Sequence, residues 1–159
     1  MSYTWVRRRE RRRVPYESAQ GRRLNVLAAT VESAGATALH WLPARRHFDA
    51  ADLVCCLEQL ADPALPTVVV LDNAGFHRAG LVREALPRLR GLGVYLYYLP
   101  PYSPELNDIE RLFRAIKHHD LPERAYPTFD ALQDAVQRAV LRREAAYQLK
   151  PTNQPRLAA

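Results

Sequence analysis

The stretch Thr67-Val68-Val69-Val70-Leu71-Asp72-Asn73-Ala74-Gly75 decides how this 159-residue chain is read. Its first five residues carry no charge and four of them are β-branched, which predicts a strand. An unbroken apolar run, unlike an alternating one, predicts burial on both faces, as in the middle of a sheet covered by helices. The run stops at Asp72-Asn73-Ala74-Gly75, a string of turn formers. Asp72 is thereby set at the carboxyl end of a central strand, where open α/β sheets bind their ligands. An Asp-Asn pair after a strand is also an ordinary turn, so this position acquires meaning only beside other residues.

Upstream, residues 23–31 and 37–42 read as two strands about a turn at Gly35. Asp49 is placed as an N-cap with Asp52 three residues on, ahead of Leu53, Val54, Cys56, Leu57 and Leu60 at helical spacing, and Pro63 and Pro66 close that helix. Downstream of Gly75 a helix is predicted to about Arg90, then a turn at Gly91 and Gly93, then a strand over 94–99. Pro100-Pro101-Tyr102-Ser103-Pro104 breaks the chain, with Ser103 placed as N-cap and Pro104 at the first helical position. A helix over 104–118 and a last one over 128–147 follow. The order β-β-α-β-α-β-α-α predicts an α/β layered fold. It forms one domain over residues 1–148, with a frayed tail over 149–159.

On the helix over 104–118, Leu106, Ile109, Phe113 and Ile116 make an apolar stripe. Glu110 lies roughly 80° from the centre of that stripe at 100° per residue. That is the border between core and solvent, where a carboxylate can reach over a sheet edge or simply stay solvated. The alternating Tyr95, Tyr97 and Tyr98, with Tyr102, read as core side chains rather than as a stacking platform for bases.

The net charge is +6 and the isoelectric point about 9.7, which favours a polyanionic partner. Lysine occurs only at Lys117 and Lys150, so nearly all the positive charge is arginine. Residues 7–13 are a basic run broken only by Glu10. Cys55 and Cys56 are neighbours in a helical pattern, which predicts buried reduced thiols rather than a disulfide or a zinc site. No apolar run approaches the ~20 residues of a membrane span, and no signal core follows the N-terminal arginines. A soluble cytoplasmic protein, associated with the nucleoid, is expected.

Two long blocks are specific. Val68-Val69-Val70-Leu71-Asp72-Asn73-Ala74-Gly75-Phe76-His77 is the first. The second is Leu99-Pro100-Pro101-Tyr102-Ser103-Pro104-Glu105-Leu106-Asn107-Asp108-Ile109-Glu110-Arg111-Leu112-Phe113-Arg114-Ala115-Ile116-Lys117. Together they resemble the DDE endonuclease domain of insertion-sequence and mariner-type transposases. The 37 residues between Asp72 and Glu110 (73–109) are close to that family's usual spacing. Weaker likeness at Arg22-Arg23-Leu24-Asn25-Val26-Leu27 and Phe48-Asp49-Ala50 extends the match over roughly residues 3–145.

The resemblance implies an RNase H-like mixed sheet flanked by helices. It implies DNA transposition: phosphodiester cleavage by water, then strand transfer by the freed 3′-hydroxyl, with transposon ends and target DNA as partners. Asp72 and Glu110 are the implied catalytic residues and metal ligands. The implied cofactor is Mg²⁺ or Mn²⁺ in a two-metal site, whose ions stabilise attacking and leaving oxygens. Asn73, His77 and Asn107 fall beside those acids and are expected to brace them. Arg7, Arg8, Arg11, Arg12, Arg22, Arg23, Arg114 and Lys117 are the expected DNA contacts.

The chain departs from the family at one point. The family's first acid lies on its first strand, in a D-E-x-x-F-like segment ahead of the block that Tyr3-Thr4-Trp5 resembles. No acid here holds that place: Glu10 and Glu17 fall in the basic segment and Glu32 at a turn. The resemblance thus implies an N-terminally truncated domain without its first, central strand, inactive alone. An upstream transposase segment, from a separate or frameshifted reading frame, or a homo-oligomer would complete it. The alternative is a non-catalytic DNA-binding remnant.

Overall fold

The computed structural model describes residues 23–33, 36–101, 103, 106–121 and 126–148. The expected order of elements is observed: β1 Asn25–Ser33, β2 Ala36–Ala44, α1 Ala50–Gln59, β3 Thr67–Leu71, α2 Gly80–Gly91, β4 Val94–Tyr98, α3 Asp108–Ala115 and α4 Phe129–Gln148. A 3₁₀ turn, Gly75–Arg78, precedes α2, and a π turn, Ile116–Asp120, continues α3. The basic run 7–13, Arg22 and the tail 149–159 lie outside the described residues.

The strands form two separate sheets. β1 and β2 pair antiparallel, with Asn25 opposite Ala44 and Ser33 opposite Ala36. β3 and β4 pair parallel, with Val68 opposite Tyr95 and Val70 opposite Tyr97. A parallel pair needs a crossover, and α2 supplies it. Gly93 makes the tight return from α2 into β4 at φ +79°, a conformation that costs glycine little, and its carbonyl accepts from Thr67 N at 2.8 Å.

Each sheet has its own core. Leu53, Val54 and Leu57 of α1 meet Val82, Ala85 and Leu89 of α2 over Val94, with Val69 and Leu71 packed against them. Leu39 of β2 and Leu112 of α3 meet Ile116, Val136, Ala139 and Val140, flanked by Val26, Ala28 and Trp41. The α1 cap forms as the sequence predicts: Asp49 Oδ1 accepts from Ala51 N and Asp52 N at 2.9 and 3.1 Å, and Asp52 Oδ2 accepts from Asp49 N. Arg46 grips Asp52 at 2.5 and 2.6 Å and holds that carboxyl down at about 2.

Several expectations are corrected. β3 is covered on one face only, since Val68 and Val70 are 64% and 53% exposed. Val69 and Leu71 lie against α1 and α2, and no described helix covers the opposite face. Tyr95 and Tyr97 share that open face and are exposed rather than core, because β4 alternates with the register of β3. The helix expected over 104–118 begins at Asp108, with Asn107 rather than Ser103 at the N-cap. Leu106 therefore precedes the helix and is exposed, and Leu112 replaces it in the core. Cys55 is exposed and Cys56 half-buried, and burial pushes the Cys56 thiol up.

The two faces of β3 and its helices predict different mutational costs. Leu57→Ala should destabilise by about 2–5 kcal/mol. Val70→Thr on the open face should change stability by less than about 0.5 kcal/mol. Urea denaturation of both variants checks the difference; equal losses would mean that the open face is buried after all.

Candidate active site

The turn after β3 is built by the side chains that the sequence places there. Asp72 Oδ1 accepts from Ala74 N at 2.9 Å, an Asx turn that pins the carboxylate to the strand end. Asn73 Nδ2 donates to Leu99 O at 2.6 Å, tying the end of β3 to the end of β4. Leu99 N in turn donates to Leu71 O at 2.8 Å. The Asn73 Oδ1 atom is buried without a partner among the described residues.

His77 comes back onto the acid from the 3₁₀ turn. Its Nδ1 lies 2.7 Å from Asp72 Oδ1 and 3.2 Å from Asp72 O. Both oxygens accept, so the proton of the neutral ring is assigned to Nδ1. The imidazole is largely buried and meets Phe76 edge-on, with centroids 4.2 Å apart. Tyr98 Oη donates to His77 O at 2.8 Å, and the Arg78 guanidinium lies over the Tyr98 ring. Asp72 Oδ1 is thus occupied twice, while Oδ2 has no partner among the described residues.

A cavity of about 1100 Å³ opens between the two sheets, and Asp72 and His77 line it. Asn107 and Asp108 line the same wall, at the start of α3. The structure therefore brings Asp72, His77 and Asn107 to one cavity, and Asn73 braces the turn beneath. Glu110 is exposed in the first turn of α3 and does not belong to that wall. Arg114 and Lys117 lie beyond it, exposed on the same helical segment, and Arg23 is exposed before β1.

Two contributors escaped the sequence reading. Asp108 shares the cavity with Asp72 and pairs with Arg111 at 3.2 Å; its only sequence signal is an acid two residues before Glu110. Tyr98 supports His77 through its hydroxyl, which needs the register of β4 on β3 to be seen.

The donors suit a hard cation in kind, being carboxylates and an amide oxygen. Among the described residues no group of three or more His, Cys, Asp or Glu is close enough together to hold a metal ion. No helix among them is long and apolar enough to cross a membrane.

The model of the DDE superfamily endonuclease family matches residues 1–133, and the chain belongs to that family. No curated protein matches it. Among solved structures it is similar to a chain of the simian T-cell lymphotropic virus intasome in complex with PP2A regulatory subunit B56 gamma. The identity is 14% and the TM-score 0.40, over 71% of this chain and 46% of that one. The chain thus spans less than half the length of that relative.

Asn73→Ala should cost about 1–3 kcal/mol, because Leu99 O loses its donor in a half-buried place. Thermal unfolding checks this, beside Asn73→Asp, which keeps the shape but not the Nδ2 donor. Full stability in both variants would mean the bond does not hold the two strand ends together.

Proposed function

We propose that this chain is the catalytic domain of a DNA transposase, in which Asp72 and Glu110 are two of three metal-binding acids. The third, on a first strand, would be supplied from outside these residues. One observation carries the reading: the Val68–His77 block puts an acid at the carboxyl end of a parallel strand, and the second block begins α3 on the same cavity wall. Membership of the DDE superfamily endonuclease family supports it.

A bound Mg²⁺ or Mn²⁺ pair would supply charge for the attacking and leaving oxygens of a phosphodiester. The chain's own residues do the positioning. Asp72 presents Oδ2 because Ala74 N and His77 Nδ1 hold Oδ1. Asn73 keeps the ends of β3 and β4 together, and Asn107 stands at the N-cap position of α3, three residues before Glu110. Glu110, exposed in the first turn of α3, would have to turn toward the cavity to join Asp72. Arg7, Arg8, Arg11, Arg12, Arg22, Arg23, Arg114 and Lys117 contact phosphates along the DNA.

The test is nicking of supercoiled plasmid in Mg²⁺ and in Mn²⁺ by the purified chain, beside Asp72→Ala and Glu110→Ala. The chain alone should nick slowly or not at all, since misplacing reacting groups by about 1 Å can cost 10²-fold. With a first strand bearing an aspartate fused at its N-terminus, it should nick, and either substitution should abolish the activity. Nicking by the unfused chain as fast as by the fused one, and abolished by Asp72→Ala, would overturn the need for a third acid. Silence of the fused chain, with DNA binding intact, would favour a non-catalytic DNA-binding remnant.

DNA binding has its own signature. Replacing Arg7, Arg8, Arg11 and Arg12 together by alanine should flatten the dependence of log K on log salt, by about 0.9 for each duplex phosphate no longer neutralised. An unchanged slope would mean that the basic run is only a solvated surface.

A further inference from the structure

The outer edge of the β1–β2 hairpin is open. β2 pairs with β1 and with no other strand among the described residues. Its nine residues, Ala36–Ala44, include no lysine, arginine, aspartate or glutamate, although 25% of the whole chain is charged. Edge strands left to solvent are ordinarily blunted by charge, because a row of free N–H and C=O groups pairs readily with another strand. β2 carries no such guard, and Pro43 is its one residue without a backbone donor.

Pro43 also gives the phase of the edge. It has no N–H to give to β1, so a ladder accommodates it where its nitrogen faces outward. Backbone direction alternates with a period of two. Thr37, Leu39 and Trp41 therefore turn their N–H and C=O groups to the open edge, beside the Pro43 carbonyl. Side chains follow the same period. Leu39 is buried against α3 and α4, whereas His40 and Leu42 on the other face are exposed.

A second copy of the same strand fits this edge. Laid antiparallel with His40 on the two-fold axis, it sets His40 opposite His40, Leu39 opposite Trp41, Ala38 opposite Leu42 and Thr37 opposite Pro43. The outward backbone groups then fall at hydrogen-bonded positions and His40 at a non-hydrogen-bonded one, as an antiparallel ladder requires. Each Leu39–Trp41 pair exchanges two bonds, and each Thr37 N donates to a Pro43 carbonyl, so the proline forfeits one bond at either end. Exposed Leu42 lies beside the small Ala38 of the other copy, a cross-strand contact that neither chain makes alone. An interface about a two-fold axis has to be self-complementary in this way. The net charge of +6 opposes association of two copies, and least so along an uncharged strand.

We infer that β2 is a dimerisation edge: two copies pair β2 to β2, antiparallel about His40, and join their hairpins into one four-stranded sheet. This goes beyond the proposed function and needs neither metal nor DNA. A single strand pairing falls short of the ~800 Å² per partner of a standard interface, so a dissociation constant on the order of 10–100 μM is expected.

The test is sedimentation equilibrium of the full chain from about 5 to 500 μM, a range that brackets that constant. His40→Lys sets like charges directly opposite each other, and Thr37→Pro removes an outward donor; neither touches the β1–β2 ladder. Each should weaken the dimer at least tenfold and leave the unfolding temperature of the dilute chain unchanged. The Leu39 and Trp41 amides should exchange more slowly as the dimer fills. In a chain carrying Cys55→Ser and Cys56→Ala, His40→Cys should cross-link two copies on mild oxidation, because facing Cα atoms there are about 4.5 Å apart. Leu42→Cys, four residues out of register with its own copy, should not. A chain monomeric at every concentration would overturn the inference. So would a dimer that survives both His40→Lys and Thr37→Pro, or that cross-links equally through either cysteine, since its contact would lie elsewhere. Protection of the Leu39 and Trp41 amides that dilution leaves unchanged would also overturn it, by assigning the edge to a segment of the same chain.

Discussion

Backbone hydrogen bonding across the middle of the molecule is the constraint on which the rest of this structure depends. A peptide group inside a sheet has to find its partner on a neighbouring strand, because water is the only other source. Among the described residues, β1 pairs only with β2 and β3 only with β4, and a cavity lies between the two pairs. The two halves of the sheet consequently draw their cohesion from separate sets of side chains, α1 and α2 over β3–β4, and α3 and α4 over β1–β2. Neither core extends through the space between them. Val68 and Val70 are exposed because no described helix covers their face of β3.

The turn bearing Asp72 does not share this looseness. It is held from three directions: its own Asx turn to Ala74, the His77 ring against the carboxylate, and Asn73 bonded to the end of β4. Each bond is modest on its own, about 0.5–1.5 kcal/mol net. Together they fix a carboxylate orientation, because rotating Asp72 breaks both bonds at one oxygen. The start of α3 is less constrained. Asn107 makes no side-chain capping bond and Glu110 is solvent-exposed. One acid is thus held by three side-chain bonds around its turn, and the other stands exposed in the first turn of a helix with no side-chain cap.

Charge is distributed in keeping with that division. Much of the described arginine is engaged locally: Arg46 with Asp52, Arg88 with Glu58, Arg143 with Asp120, and Arg45 with both Asp130 and the Phe129 ring. Exposed pairs of this kind add little stability, typically about 0–1 kcal/mol. They do determine which cations remain available to a polyanion. The surplus that makes the chain basic lies largely in residues 7–13, with six arginines against one glutamate, while on α3 and its π turn acids and bases balance.

Much of this was legible in the sequence because it is local. The order of eight elements follows from hydrophobic period and turn chemistry. The Asp49–Asp52 capping box involves residues three apart. The Asp72 turn closes within a few residues, and the two long motif blocks are contiguous in the chain, so their likeness to the DDE endonuclease family needs no tertiary contact to be seen. What the sequence could not decide is what depends on distant partners. A run such as Val68-Val69-Val70 predicts burial on both faces only if something covers both, and one face here is uncovered. The tyrosines of β4 took their exposure from the register with β3, and Leu106 lost its core place to Leu112 when α3 began at Asp108. The separation of the described strands into two pairs, with a cavity between β1 and β3, is a property of the tertiary structure.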